Sequence, residues 1–294
     1  MSTTRERVAY WCYRGVEELG TTLPESLGRK LFTKLGELAF RLMPNLRAVV
    51  AGNQARVLGL EPDHPLVLDS TREAFRLYGR YWYDSFHVVT VDDAWIIDRF
   101  RCEGTEHLDR ALVEGRGAIL ALPHMGNWDA AGRWMMAIGH NVVSVAEDLQ
   151  PPALFELFLR HREALGMRII GHSSDGRVGR KLGDALTKNG VVALVADRDL
   201  GGRGIDVEMF GGRRRLPAGP ALLALATGAA LIVAPIYTED RGWHCIMHPP
   251  LEVPDTGDRK ADVVTLTRAL ASEFERVISA RPADWHLFQP GWES

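Results

Sequence analysis

The sequence predicts an α/β fold: a central, mostly parallel sheet flanked by helices, with a helical layer ahead of it. Three observations lead there. Up to about residue 90, apolar residues recur with helical spacing. From about residue 115, short apolar runs alternate with helical stretches. No internal repeat and no low-complexity linker divides the chain, so residues 1–294 read as one domain. Within it, residues 1–90 form a helical portion and residues 115–294 an α/β core.

Each element has its own signal. In the first portion Leu31, Phe32, Leu35, Leu38, Ala39, Leu42 and Met43 follow the i, i+3, i+4, i+7 rule, and Lys30, Lys34, Glu37 and Arg41 take the other face. Residues 24–58 carry six basic side chains (Arg29, Lys30, Lys34, Arg41, Arg47, Arg56) against two acidic ones (Glu25, Glu37), a local balance of +4. A basic amphipathic pair of helices in an acidic protein suggests an anionic bilayer surface as partner. The plain alternative is a core-facing helix with a solvated face. In the second portion, strands are expected at Gly117–Leu122, Asn141–Ala146, Met167–Ile170, Val191–Ala196 and Leu231–Pro235, with a further one at Trp243–Met247. Helices are expected near Asn127, from Pro151, over Val178–Leu186, over Ala221–Thr227 and over Ala261–Ile278.

Composition sets outer limits. The formal net charge of −3 gives no reason to expect nucleic acid as a partner. Cys12, Cys102 and Cys245 are far apart and form neither a metal-ligand spacing nor a disulfide framework, so no metal is expected. The start, MSTTRERVAYW, lacks the apolar centre of a signal peptide. Leu216–Thr238 carries no charge and has the length of a membrane span. Pro217, Gly219, Pro220, Gly228 and Pro235 break it into a helix, a glycine stop and a buried strand.

The chemistry concentrates in GAILALPHMGNWDAAGRW, residues 117–134: a buried strand, Pro123-His124, then a helix start. In open α/β sheets, catalytic groups gather beyond the C-terminal strand ends, which is where His124 would stand. Asp129, in the first helical turn, is expected to turn back to the imidazole, fixing its tautomer and stabilising its charged form. Gly126 is expected to leave room for substrate. H-x4-D occurs three times, as His64/Asp69, His87/Asp92 and His124/Asp129, and the last alone has a strand–loop–helix context. Asp197, Arg198 and Asp199 follow another buried strand, and Asp197 could give His124 a further carboxylate. Arg213, Arg214 and Arg215 precede a helix start marked by Pro217, a setting suited to a phosphate. A nucleophile-elbow serine fails at Gly171–Asp175, and neither a phosphate loop nor a strand-linked G-x-G-x-x-G occurs.

These residues carry a family resemblance. The His124–Asp129 unit, FLRHREALG at 158–166, ADRDLGG, VEMFGGRRRLPAGPALLA and the ending RPADWHLFQPGW resemble the H-x4-D acyltransferases of the lipid A lauroyltransferase branch, and most of all phosphatidylinositol mannoside acyltransferases. The resemblance spans about residues 24–292. It implies a peripheral enzyme on the cytoplasmic face of the cell membrane that moves a palmitoyl chain from acyl-CoA to a glycolipid hydroxyl. The acceptor it implies is the 6-hydroxyl of the mannose on position 2 of inositol. His124 maps to the family base and Asp129 to the motif carboxylate, with Asp197, or its neighbour Asp199, as a relay carboxylate. Arg162 maps to a family arginine, and Arg198, Asp199, Glu147 and Arg215 complete the substrate-binding candidates. Acyl-CoA is a substrate on this reading, and no cofactor is required. A lysophospholipid or lipid A precursor as acceptor, and a non-enzymatic lipid-binding protein, are the competing readings.

Overall fold

A computed structural model describes residues 4–146, 152–171, 177–199 and 201–292. The chain opens with α1 (Thr4–Thr22), α2 (Glu25–Leu42), α3 (Pro44–Leu58), α4 (Pro65–His87) and α5 (Asp93–Arg99). Then come β1 (Phe100–Glu103), α6 (Thr105–Val113), β2 (Ala118–Leu122), α7 (Trp128–Ala137), β3 (Val142–Ala146), α8 (Pro152–Ala164) and β4 (Arg168–Gly171). The rest is α9 (Val178–Leu186), β5 (Val191–Val195), β6 (Ile205–Met209), β7 (Gly212–Leu216), α10 (Gly219–Thr227), β8 (Ala230–Val233), β9 (Ile236–Thr238), β10 (Trp243–Ile246) and α11 (Arg259–Ala280).

The predicted α/β class is the one observed. The central sheet is five-stranded and parallel, in the order β4-β3-β5-β2-β8. Its strands β2, β5 and β8 are apolar without alternation (β2 is buried at every position), as a sheet covered on both faces requires. A second sheet, β1-β10-β9, abuts its edge through backbone bonds such as His248 N to Val233 O at 2.9 Å. On one face α11 buries Leu266, Leu270 and Phe274; on the other, α7 buries Trp134 and Met135.

The uncharged 216–238 run divides among β7, α10, β8 and β9, with Gly228 at φ 72° closing α10. No helix among the described residues is long and apolar enough to cross a membrane.

Two expectations are corrected. Arg213–Arg215 do precede the helix start at Gly219, but they do not form its end. They lie on β7 of a β6–β7 hairpin, whose Phe210-Gly211 turn has φ of 51° and 65°. Paired positive φ values are the twist-matched solution for a two-residue hairpin. The second correction concerns α2. Its leucine stripe faces solvent: Leu27, Leu31, Leu35, Leu38 and Leu42 are exposed, while Gly28, Phe32 and Gly36 are buried. The reason is close packing on α4. A Cβ on Gly36 would lie 2.1 Å from Phe75 O, and one on Gly79 2.2 Å from Phe32 O. The glycine edge admits a neighbouring backbone that the leucine edge would hold off.

Candidate active site

Strand register brings the central pair together. β2 and β5 are adjacent and parallel with Leu122 opposite Val195, and Ala196 N extends the ladder to Leu122 O at 2.9 Å. His124 and Asp197 each lie two residues beyond that matched pair, so they emerge side by side at the C-terminal edge. The His124 Nδ1 bonds Asp197 Oδ1. The second oxygen, Oδ2, accepts from Trp285 Nε1 at 2.7 Å, and Arg214 donates to the Asp197 carbonyl.

Asp197 is fully buried. Burial alone would raise its pKa, but His124, Arg198 and Arg214 outweigh it and hold the carboxyl well below the usual carboxylate range. Burial pushes His124 below the ordinary imidazole value; Asp197 opposes this, and Arg198 and Arg162 add to it. The resting pair is thus a carboxylate beside a neutral imidazole. A carboxylate can only accept, so Nδ1 carries the proton and Nε2 is left as the basic nitrogen. Arg198 Nε, 3.1 Å from Nδ1, is then an adjacent cation rather than a donor to that nitrogen.

The C-terminal segment frames this loop. Met125 and Trp285 form a β-bridge, Gly126 N bonds Asp284 O at 3.1 Å, and His286 N bonds His124 O at 2.7 Å. His286 Nε2 donates to Gly126 O at 3.0 Å. Burial depresses His286 to about 3, so this imidazole stays neutral. Gly126, at φ 60°, is required by close packing: a Cβ there would lie 2.2 Å from Ile236 O. The space expected for substrate at that residue is filled by β9.

Asp129 does not turn back to the imidazole. It is buried on α7, where its oxygens accept from Tyr81 Oη at 3.1 Å and from Arg162 Nε at 3.3 Å. Among the described residues no hydrogen bond joins it to His124. The physical reason is the helix start. Asn127 accepts from Ala130 N at 2.9 Å and caps α7, which sends Asp129 to the α4–α8 side of the helix. Tyr81 is held far above the ordinary phenol value, by burial first and then by Asp129, and so stays a donor. Its ring stacks near Trp128 at 4.4 Å, and Trp128 meets the His124 ring edge-on at 5.2 Å.

The other candidates separate. Asp199 accepts from Gly201 N at 3.1 Å and Gly204 N at 2.7 Å, which shapes the following loop and leaves the relay position to Asp197. Arg215 is tied to Asp206 at 3.0 Å and to Gly202 O at 3.3 Å, inside the hairpin rather than at a phosphate-binding helix end. Glu147 lies outside the described residues. Sequence reasoning missed Tyr81 and the positions of Trp285 and His286, although the last two stand in the RPADWHLFQPGW ending.

Beside Trp128, Asp129 and Arg162 an apolar cavity of about 70 Å³ opens between α7 and the sheet, walled by Leu120, Val142 and Met167 among others. The site therefore joins a partly exposed histidine, a buried carboxylate, a cation and a lipid-like lining, a combination suited to moving an acyl group.

Comparison with known proteins agrees. The profile of the bacterial lipid A biosynthesis acyltransferases matches residues 1–294. The phosphatidylinositol mannoside acyltransferase of Mycobacterium tuberculosis is 41% identical over 247 residues, covering 82% of this chain and 75% of that protein. Its namesake in Mycolicibacterium smegmatis is 39% identical over 241 residues, covering 82% of this chain and 77% of the relative. A lipid A biosynthesis acyltransferase of Haemophilus influenzae is 23% identical over 185 residues, covering 62% of this chain and 55% of its own. The chain is an acyltransferase and belongs to the bacterial lipid A biosynthesis acyltransferase family.

Proposed function

We propose that this acyltransferase moves a palmitoyl chain from acyl-CoA to the 6-hydroxyl of the mannose on position 2 of inositol in a phosphatidylinositol mannoside. The observation that carries the reading is His124, neutral and oriented by Asp197, in ring contact with Trp128 in the wall of an apolar cavity. The names of the mycobacterial relatives supply the acceptor. His124 Nε2 takes the acceptor hydroxyl proton as that oxygen attacks the thioester carbonyl. Asp197 stabilises the imidazolium so formed. The tetrahedral oxyanion collapses, the C–S bond breaks, and the imidazolium returns its proton to the departing thiolate. A thioester is already activated, so no acyl-enzyme is needed. Arg162, in the cavity wall, and Arg198, beside His124, are the cations that would meet the anionic donor.

A peripheral place on the cytoplasmic face of the membrane fits the lipid acceptor, but the attraction differs from the one the charge count suggested. Arg29 is spent on Asp84 at 2.7 Å and Glu25 at 2.6 Å, Arg41 on Glu37 at 2.8 Å, and Arg56 lies over Trp292. The outward leucines of α2 are the stronger membrane element.

Radiolabelled palmitoyl-CoA offered with a phosphatidylinositol mannoside, a lysophospholipid and a lipid A precursor tests the reading. Label should pass to the mannoside and not in His124→Ala. Transfer to either other acceptor in preference would overturn the acceptor assignment, and transfer by folded His124→Ala would overturn the mechanism.

A further inference from the structure

An acyl transfer through a tetrahedral intermediate puts a full negative charge on the former carbonyl oxygen. A hydrogen-bond donor already fixed at about 2.7–3.1 Å from that oxygen stabilises the charge at no cost in reorganisation. Before substrate arrives such a donor has nothing to bond. It is therefore recognisable as a buried N–H or O–H without a partner, a state that costs stability and is rare in folded proteins. Of the buried side-chain nitrogens and oxygens that lack a hydrogen-bond partner among the described residues, Trp128 Nε1 is the one whose residue lines the apolar cavity. Asn127 Nδ2 shares the lack, but Asn127 is no part of that wall, and its oxygen accepts from Ala130 N.

Two rings hold the indole beside the base. Trp128 opens α7, and its ring meets the His124 imidazole edge-on with centroids 5.2 Å apart. Tyr81 packs on it at 4.4 Å. The other donors nearby have partners. Tyr81 Oη and Arg162 Nε serve Asp129. Arg198 Nε lies against His124 Nδ1, the nitrogen turned to Asp197 rather than the basic Nε2. An indole N–H can only donate and carries no charge. It bonds a neutral thioester carbonyl weakly and an oxyanion strongly, which is the condition for raising kcat rather than affinity.

We propose that Trp128 is a catalytic residue whose Nε1–H donates to the oxyanion of the tetrahedral intermediate. The proposal rests on the acyl-transfer reading above. As the acceptor oxygen bonds the carbonyl carbon, its proton passes to His124 Nε2. The C=O π pair moves onto the carbonyl oxygen, which takes the indole hydrogen bond. The pair then returns to re-form C=O, the C–S bond breaks, and the thiolate takes the proton from the imidazolium.

Trp128→Phe removes the N–H and keeps a ring. Benzothienylalanine in place of Trp128 exchanges the N–H for sulfur and keeps the shape as well. Both are compared with wild type in palmitoyl transfer and in binding three ligands. These are palmitoyl-CoA, S-hexadecyl-CoA, which has no carbonyl, and a hexadecylphosphonate thioester of CoA, whose tetrahedral centre bears an anionic oxygen. Both variants should lose about 100-fold in kcat, the scale of one oxyanion donor, with the acid limb of the pH profile unmoved. Affinity for the first two ligands should stay within about threefold of wild type, and that for the phosphonate should drop at least about tenfold. Melting establishes folding, and the benzothienyl isostere decides where the Phe variant is unstable. A folded isostere with kcat within about threefold of wild type would overturn the assignment, as would a loss confined to palmitoyl-CoA affinity. Wild type that neither cleaves palmitoyl-CoA nor transfers its acyl chain would overturn the transfer reading, and the oxyanion role with it.

Discussion

Asp197→Asn is the change that most directly probes the pair at the centre of the site. Both groups that face the carboxylate are donors: the protonated Nδ1 of His124 on one oxygen and the Trp285 indole N–H on the other, at 2.7 Å. An amide offers one acceptor and one donor group, so one of the two contacts must fail. If the amide oxygen keeps Trp285, its NH2 faces Nδ1. That contact holds only if Nδ1 gives up its proton, and the proton then sits on Nε2, where the base is needed. If the oxygen keeps His124, the NH2 opposes the indole N–H and the carboxylate charge that supported the imidazolium is still lost. The equivalent change in a serine-protease triad costs about 10,000-fold in kcat, which sets the expected scale. We expect a loss of at least about 1,000-fold with donor affinity within about threefold of wild type, because Asp197 lies outside the cavity wall. Stability should fall by about 1–3 kcal/mol, the cost of one unsatisfied buried polar group.

The assay is kcat for palmitoyl transfer between pH 6 and 9, beside the palmitoyl-CoA dissociation constant and urea unfolding. In wild type, burial holds His124 below the ordinary imidazole value, so the rate should be level above about pH 6.5 and fall below it. The variant should stay slow across the whole range, because raising the pH removes a proton from the imidazolium but does not move one between nitrogens. Folded Asp197→Asn with kcat within about tenfold of wild type, or one rescued by high pH, would refute the tautomer argument.

Asp129→Asn should leave the pH profile of kcat in place and cost about 1–3 kcal/mol of stability, since it removes the anion that Tyr81 and Arg162 share; a shifted acid limb would show that Asp129 acts on the imidazole after all. Replacing Leu27, Leu35, Leu38 and Leu42 by Ser should weaken vesicle binding by at most about 1 kcal/mol per half-exposed leucine, and high salt should leave most wild-type binding intact. Co-sedimentation that salt abolishes but the serines do not would return the role to the basic residues. Burial raises Asp284 to about 6, above its unfolded value near 3.9, so its contribution to stability is complete below about pH 4 and is lost as pH rises through 6. Asp284→Asn, which keeps an acceptor for Thr238 N, should therefore stabilise the protein at pH 8 by up to about 3 kcal/mol and have no effect at pH 4; destabilisation at pH 8 would contradict this.

What could be read from the sequence follows from how local each signal is. Strands such as Val191–Val195 announce themselves by apolar runs, and α7 by its Asn127 cap, because one segment holds all the information. The meeting of His124 with Asp197 needed one further fact, that β2 and β5 are neighbours in register. Once that is known, two residues past each strand end suffices. The role of Asp129 could not be read in this way. Its spacing from His124 permits a contact, but the choice is made by Tyr81 from α4 and Arg162 from α8, which form a buried hydrogen-bonded network that spacing does not encode.

The α2 stripe shows the same limit. Periodicity marked an apolar stripe and left it either to a bilayer surface or to the interior; the leucines face outward because glycines at 28 and 36 let α4 approach the opposite face more closely than five leucines would. That arrangement bears on function. α4 packs one side against the glycine edge of α2 and, from the other, sends Tyr81 to Asp129 at 3.1 Å. The exposed leucine surface of α2 and the buried network of Asp129 and Arg162 are thus joined through a single helix. The sequence shows the leucines and the motif separately; that one helix connects them is a property of the glycine contacts, which only the packed structure supplies.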